Sequence, residues 1–274
     1  MRRALLMASG ANRGAYYAGF LAPLQQAGID FELMAGVSAG GIASAWFAAG
    51  DPEALIDSWR QADRWRVAPH PWASVGRMRC VDRLIQTITL RTMDLERART
   101  ADAEVVVSAA RIAGPGFPLP RVEARYLSSR DAANDEHLGL MLRATSFVPW
   151  INGFRRAIEI DGERYIDGGV VHRVPFEMVA EGCFDELWIG ACSPHGLAEL
   201  ESELRAHRRR ERLVIVTPSE ALPVGRWTME WARIRLAIAL GEHDMQAAIA
   251  AYRRGASPVV VGSVAAAEGV RRIA

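Results

Sequence analysis

Residues 31–47, FELMAGVSAGGIASAWF, decide the fold of this chain. Within this stretch Ser38 stands between Gly36 and Gly40, after one apolar run and before another. A serine on a tight strand-to-helix turn has an exposed hydroxyl, and flanking glycines allow close packing where a Cβ would clash. The following helix directs its free N–H groups and its positive dipole end at the turn. The stretch therefore predicts a nucleophile elbow with Ser38 as the candidate nucleophile.

Composition limits the fold and the class of partner. The chain has 274 residues, half of them apolar, which is enough for one large core, and we expect a single α/β domain over residues 1–274. The formal charge is only +1, so no global basic field favours nucleic acid. All 33 basic residues are arginine and none is lysine. The three cysteines, at positions 80, 183 and 192, are widely spaced and predict reduced thiols without a metal site.

The first residues resemble the start of a signal peptide, because two arginines precede an apolar stretch at residues 4–8. Ser9-Gly10 interrupts that stretch too early for a full hydrophobic region, which favours a buried first strand. No apolar run approaches the length of a membrane span. We therefore expect a cytoplasmic protein.

The remaining pattern alternates strands with helices, which is typical of a layered α/β domain. Short apolar runs predict strands at residues 3–8, 31–35, 104–108, 121–127, 186–192 and 212–217, and Asp161-Gly162 predicts a hairpin joining 155–160 to 164–166. One helix is predicted at 13–27, ended by Gly28, a second after the elbow, and a third from Pro52 with Asp51 as its N-cap. Further helices are predicted at 81–88, 136–145, 196–210 and 226–253, and loops at 66–80 and 114–118.

Three other segments give the elbow its context. Residues 9–14 (SGANRG) form a small-residue loop after the first strand, where neighbouring N–H groups can cradle an anion. Residues 144–149 read ATSFVP, and residues 165–170 place Asp167 on a Gly-Gly turn after a hairpin strand. An aspartate there can simply cap its own turn. Taken with the elbow and the loop, it supplies the base of an acyl-transfer site.

In this order, from about residue 3 to residue 192, the segments resemble the patatin-like phospholipases and lipid acyl hydrolases. The resemblance implies a three-layer α/β/α fold with a mostly parallel sheet, a lipid or other ester substrate, and no cofactor. It implies that Ser38 is the nucleophile, that Asp167 is its partner in a dyad without histidine, and that the N–H groups of Gly10 and Ala11 form the oxyanion hole. Arg13 matches the family's basic position in the loop. The other motif positions are Gly14, Gly36, Gly40, Gly168 and Gly169.

The loop departs from the family pattern Gly-Gly-Gly-x-Arg-Gly, since Ser9 and Ala11 replace its first and third glycines. Alanine keeps its N–H donor, but its methyl group resists the backbone angles that glycine permits. The dyad also requires a dry site, because an ordinary carboxylate is a poor base for a hydroxyl.

Four alternatives remain open from the sequence. His172 or His243 could complete a conventional triad. The first strand and its loop also fit a short-chain dehydrogenase, although the Tyr-x-x-x-Lys pair of those enzymes is absent from a chain without lysine. A catalytically weak protein that binds a lipid or a partner is the third. Residues 225–236 interleave arginine with tryptophan, which fits either transient membrane-surface contact or a helix packed on the core.

Overall fold

A computed structural model describes residues 1–63, 81–115, 121–151, 156–179, 183–206 and 211–262. Within these ranges the chain forms one mixed sheet of nine strands, most of them paired in parallel. The strands are β1 Arg3–Met7, β2 Leu33–Val37, β3 Glu104–Gly114, β4 Arg121–Ser128, β5 Ile158–Ile160, β6 Glu163–Asp167, β7 Glu186–Gly190, β8 Arg212–Val216 and β9 Val259–Val261.

The strand order is β5-β6-β3-β2-β1-β7-β8-β9, and β4 pairs with β3 outside this path. Strands β2, β1, β7, β8 and β9 run parallel to their neighbours, and β3 runs parallel to β2. The β5-β6 hairpin and β4 are antiparallel additions beside β3. The carboxyl ends of β1 and β2 therefore lie side by side.

Helices follow most of the parallel strands. They are α1 Ala15–Ala18, α2 Leu21–Ala27, α3 Ala39–Ala49, α4 Pro52–Ala62, α5 Val81–Leu84, α6 Leu90–Thr92, α7 Leu95–Thr100, α8 Asp135–Thr145, α9 Pro194–Ala206 and α10 Trp231–Arg253, with a π-helical turn at Ile85–Thr89 between α5 and α6. Short 3-10 turns occupy Ala11–Gly14, Ser129–Asp131, Pro149–Ile151, Gly168–Val170 and Phe176–Met178.

The sheet is buried on both faces, as its alternating side chains show. On β1, Leu5 and Met7 belong to a core shared with α1, α2, α3, α8 and α10. Ala4 and Leu6 point the other way, into a second core that includes Phe176 and α9. Two cores on opposite faces make a three-layer α/β/α domain, which confirms the expected fold class.

Most predicted elements are present, but several boundaries were wrong. The helix predicted at 13–27 is split, and Gly28 ends its second half in a left-handed conformation with φ 65°. Strand β3 continues to Gly114, and α10 begins at Trp231 rather than at 226. Strand β9 and α7 were not predicted. The loop predicted at 66–80 lies outside the described residues, as do residues 116–118 of the loop predicted at 114–118 and residues 207–210 of the helix predicted at 196–210.

Candidate active site

Ser38 lies on the sharp turn between β2 and α3, with φ 56° and ψ −121°. This angle is rare for a residue with a side chain, and strained positions of this kind are frequent at functional sites. The flanking glycines make the turn possible. A Cβ on Gly36 would lie 2.3 Å from the backbone of Gly40, and one on Gly40 would lie 2.2 Å from the carbonyl oxygen of Met7. The expected elbow geometry is therefore present.

Strand β3 also places Asp167 beside Ser38, because β3 pairs with β2 on one side and with β6 on the other. Val37, the last residue of β2, pairs with Ser108, and Asp167, the last residue of β6, pairs with Ala109. Because β2 is parallel to β3 and β6 is antiparallel to it, their carboxyl ends meet at consecutive residues of β3. The turn Asp161-Gly162 sets the register of the hairpin, and both of its residues have positive φ.

The two side chains are in direct contact. Ser38 Oγ donates a hydrogen bond to Asp167 Oδ2 at 2.7 Å, and both residues are buried. The other carboxylate oxygen, Oδ1, accepts a hydrogen bond from the N–H of Gly169 at 2.7 Å. The structure thus joins the two residues that sequence reasoning singled out, 129 positions apart, and it orients the carboxylate through the Gly-Gly turn.

Burial governs the protonation of Asp167. Loss of solvent raises its pKa from 3.8 to about 6, while the hydrogen bonds from Ser38 and Gly169 and the positive charge of Arg173 act in the opposite direction. The carboxylate is therefore a stronger base than an exposed aspartate and is still mostly ionised at neutral pH.

Thr145 holds the backbone of Ser38 in place. Its Oγ1 accepts a hydrogen bond from the N–H of Ser38 at 2.9 Å and donates one to the carbonyl oxygen of Ser108 at 2.6 Å. It is fully buried at the end of α8. Sequence reasoning noted residues 144–149 but assigned Thr145 no role, since the contact joins α8 to two strands that are distant in sequence.

The loop after β1 lies against the elbow. A Cβ on Gly14 would lie 2.7 Å from the Cβ of Ala39, and one on Gly10 would lie 2.4 Å from Cys192 Sγ. Ala11 has φ 50°, so alanine adopts the left-handed angle that a glycine would take without strain. Among the described residues, the N–H groups of Gly10 and Ala11 donate to no protein acceptor. Both residues line the same cavity as Ser38.

That cavity has a volume of about 500 Å³, within the usual range of small-molecule sites. One part is apolar and is formed by α3, α4 and the π-helical turn, with Trp46, Leu55, Trp59 and Ile85 among its lining residues. The other part contains Ser38, Asp167 and the loop. It also contains residues that sequence reasoning missed as site components: Arg173, His195, Arg226 and Trp227.

Comparison with known proteins identifies the family. A sequence model described as "Patatin-like phospholipase" matches residues 5–180, more than half of the chain. The chain belongs to the patatin-like phospholipase family. The solved structure of VipD from Legionella pneumophila is similar, with a TM-score of 0.50 and 13% identity, over 91% of this chain and 67% of that one. A search of curated proteins gives no match.

Two further similar structures contain ExoU. The type III effector protein ExoU gives a TM-score of 0.41 and 11% identity, covering 90% of this chain and 52% of that one. The heterodimeric ExoU–SpcU complex from the type III secretion system of Pseudomonas aeruginosa gives a TM-score of 0.43 and 15% identity. This match covers 93% of this chain and 51% of that one. The chain thus spans about half the length of these ExoU chains.

The histidines considered for a triad lie elsewhere in this patatin-like fold. His172 Nε2 lies 3.2 Å from a carboxylate oxygen of Glu177, and His243 is exposed on α10. Neither lines the cavity, whereas Ser38 contacts Asp167 directly.

Two general features complete the description of the site. In the ranges that the structure describes, no group of three or more His, Cys, Asp and Glu side chains could hold a metal ion. Over the same ranges, no helix combines the length and apolarity that crossing a membrane requires.

Proposed function

We propose that the protein is a serine acyl hydrolase that cleaves lipid or other carboxylic esters through an acyl-enzyme on Ser38. The observation that carries the proposal is the 2.7 Å hydrogen bond from Ser38 Oγ to Asp167 Oδ2 on a strained elbow that faces a cavity. Membership of the patatin-like phospholipase family supports lipid esters as the substrate class.

In the first step Asp167 is the general base. Its buried carboxylate takes the proton of Ser38 while Oγ attacks the ester carbonyl carbon, and the carbonyl oxygen becomes an oxyanion. The N–H groups of Gly10 and Ala11 are the proposed donors to that oxyanion. When the carbonyl bond re-forms, the alcohol leaves with the proton held by Asp167, and the acyl group stays on Ser38.

In the second step a water molecule replaces the alcohol. Asp167 takes one proton from the water, whose oxygen attacks the acyl carbon, and then returns the proton to Ser38 Oγ as the carboxylic acid leaves. The hydrogen bond from Gly169 to Asp167 Oδ1 keeps Oδ2 directed at the serine in both steps. Neither step requires a metal or a cofactor.

The apolar part of the cavity fits the acyl chain of such a substrate. Trp46, Leu55, Trp59 and Ile85 offer hydrocarbon and aromatic surface within the same cavity as the nucleophile. Burying an apolar chain there contributes about 25 cal/mol per Å² removed from water. A lipid ester can therefore bind with its chain among the helices and its carbonyl at the loop.

The proposal is tested by covalent labelling and hydrolysis together. A fluorophosphonate probe should label the wild-type protein at Ser38, and Ser38→Ala should lose both the label and the hydrolysis of a p-nitrophenyl ester. Asp167→Asn should lose at least about a hundredfold in kcat/KM, because the amide keeps the shape but accepts no proton. His243→Ala and the exposed serine variant Ser202→Ala are the matched controls, and both should retain activity.

A folded wild-type protein that is neither labelled nor active would instead support the reading of a patatin-fold protein that binds lipid without cleaving it. Labelling on a serine other than Ser38 would reject the assignment of the nucleophile.

A further inference from the structure

Three arginines lie within or next to the loop of residues 9–14, beside the proposed nucleophile. Arg13 belongs to the loop, and the other two are attached to it through backbone hydrogen bonds. The N–H of Ser9 donates to the carbonyl oxygen of Arg173 at 2.8 Å, and the N–H of Asn12 donates to that of Arg226 at 3.3 Å. All three arginines line the cavity that contains Ser38.

The chain segment that carries Arg226 is held firmly against this loop. Asn12 Nδ2 donates to the carbonyl oxygen of Thr228 at 2.8 Å, and Thr228 Oγ1 accepts from the N–H of Gly225 at 2.8 Å. Just beyond it, the N–H of Trp231 donates to Asp63 Oδ1 at 2.8 Å. Two hydrogen bonds from Asn12 thus join the segment to the loop, and the other two hold the segment itself and its continuation into α10.

Within the described ranges, no carboxylate lies within ion-pair distance of these three guanidinium groups. Glu199 is close to Arg173, but its Oε1 accepts from the backbone N–H groups of Arg173 and Val174. Of the described residues that line the cavity, Asp167 is the one with a carboxylate. The positive charge of Arg173 reaches the site, since it lowers the pKa of Asp167. The polar part of the cavity thus has an excess of positive charge.

We propose that Arg173 and Arg226, together with Arg13, bind an anionic head group and so make acyl esters with a net negative head the preferred substrates. The proposal rests on the function proposed above and specifies its substrate class. Guanidinium groups bind phosphate oxygens through paired, charge-assisted hydrogen bonds, and here Arg13 and Arg173 are half-buried while Arg226 is exposed at the rim. A zwitterionic head would bring a cation toward the same arginines, which disfavours it.

The geometry separates the two ends of such a substrate. The loop packs against the start of α3 through Gly14 and Ala39, its N–H groups bond to the backbones of Arg173 and Arg226, and it holds the proposed oxyanion donors Gly10 and Ala11. An ester carbonyl at the loop would therefore place its acyl chain toward α3 and α4 and its head group toward Arg173 and Arg226. Arg226 lies outside residues 5–180, so its contribution belongs to this chain rather than to the matched family region.

The test measures binding, so that its outcome does not depend on hydrolysis. Ser38→Ala protein is titrated by calorimetry with short dihexyl-ether lipids kept below their micelle concentration. One has a phosphoglycerol head with a net negative charge, and the other has a zwitterionic phosphocholine head. We expect about tenfold tighter binding of the anionic lipid, the size of one charge-assisted contact. Monomeric lipid excludes the attraction of a charged membrane surface.

The arginine variants are compared in the same Ser38→Ala background. Arg226→Gln should reduce the tenfold ratio to about threefold or less, and Arg173→Gln should also lower it. The control is Arg233→Gln, an exposed arginine of α10 outside the cavity, which should keep the full ratio. Melting temperatures of all variants verify that each is folded.

Two results would overturn the proposal. One is equal binding of the two lipids by the parent protein, and the other is a ratio that Arg226→Gln and Arg173→Gln leave unchanged. Inorganic phosphate is titrated as a separate arm. Phosphate that binds as tightly as the anionic lipid would identify a free-phosphate site and reject the head-group assignment. Failure of hydrolysis alone would reject the proposed function without affecting this comparison.

Discussion

At the scale of the residue, Asp167 combines burial with a direct hydrogen bond from Ser38, the proposed nucleophile. Its pKa of about 6 sets the pH dependence of the proposed reaction, because only the ionised form accepts the serine proton. We expect kcat/KM for a neutral ester to rise with pH through about 6 and to level off above about 7. A pH–rate profile tests this expectation. A rise centred near 4, where an exposed aspartate titrates, would contradict it.

The same burial of Asp167 lowers the free energy of unfolding when the carboxylate is ionised. Between about pH 4 and 6 the native state retains a proton that the unfolded state has lost, so the free energy of unfolding falls as pH rises through this window. A pKa rise from 3.8 to about 6 corresponds to about 3 kcal/mol at pH 7. We therefore expect Asp167→Asn to be inactive yet more stable, by up to about 3 kcal/mol at pH 7.5 and by little at pH 4. The amide can still accept from Gly169 and donate to Ser38.

Urea denaturation of both proteins at the two pH values measures this difference. An equal stability difference at pH 4 and pH 7.5 would show that the effect of the asparagine does not come from the buried charge.

At the scale of the element, the loop between β1 and α1 contains an alanine in a left-handed conformation, Ala11 at φ 50°. This angle costs a non-glycine residue about 1–2 kcal/mol, and a glycine regains part of that cost while it makes the unfolded chain more flexible. We expect Ala11→Gly to change the free energy of unfolding by less than about 1 kcal/mol and to keep or raise turnover, since its N–H donor remains.

Steady-state kinetics and denaturation check this expectation. Gly10→Ala is the informative partner variant, because its Cβ would lie 2.4 Å from Cys192 Sγ, and it should lose both stability and activity. If Ala11→Gly lowered turnover a hundredfold or more, the loss would correspond to about 2.7 kcal/mol of transition-state stabilisation. That result would mean that the methyl group is part of a differently built site.

Elements with a local signal were predicted from the sequence, and those decided by distant contacts were not. The 161–162 turn and the Gly36–Gly40 elbow depend on residues adjacent in sequence. The split of the first helix depends on Gly19, which packs so tightly on α10 that a Cβ would lie 2.1 Å from the carbonyl oxygen of Ile238. The late start of α10 follows from the attachment of residues 225–228 to Asn12.

At the scale of the whole molecule, the order of the motifs predicted which residues meet, but not how the chain brings them together. Ser38 and Asp167 meet because β2 and β6 end at neighbouring residues of β3, whose extension to Gly114 was not predicted. Arg173 carries no motif, and Arg226 was noted only as part of the arginine- and tryptophan-rich stretch 225–236. Nothing local in the sequence indicates that backbone hydrogen bonds attach them to the loop of residues 9–14. Site residues outside the motifs therefore became visible only in three dimensions.

The sheet also requires residues that follow the matched family region, and the position of β1 illustrates this. Strand β1 lies between β2 and β7, and α1 packs against α10, although β7 and α10 follow residue 180. A fragment of residues 1–180 would leave one edge of β1 unpaired and would uncover its buried side chains. We expect this fragment to show no cooperative unfolding transition in urea by circular dichroism, whereas a chain of residues 1–262 keeps every described element and serves as the comparison. A cooperative transition of the 1–180 fragment would show that the two parts are separable units rather than one domain.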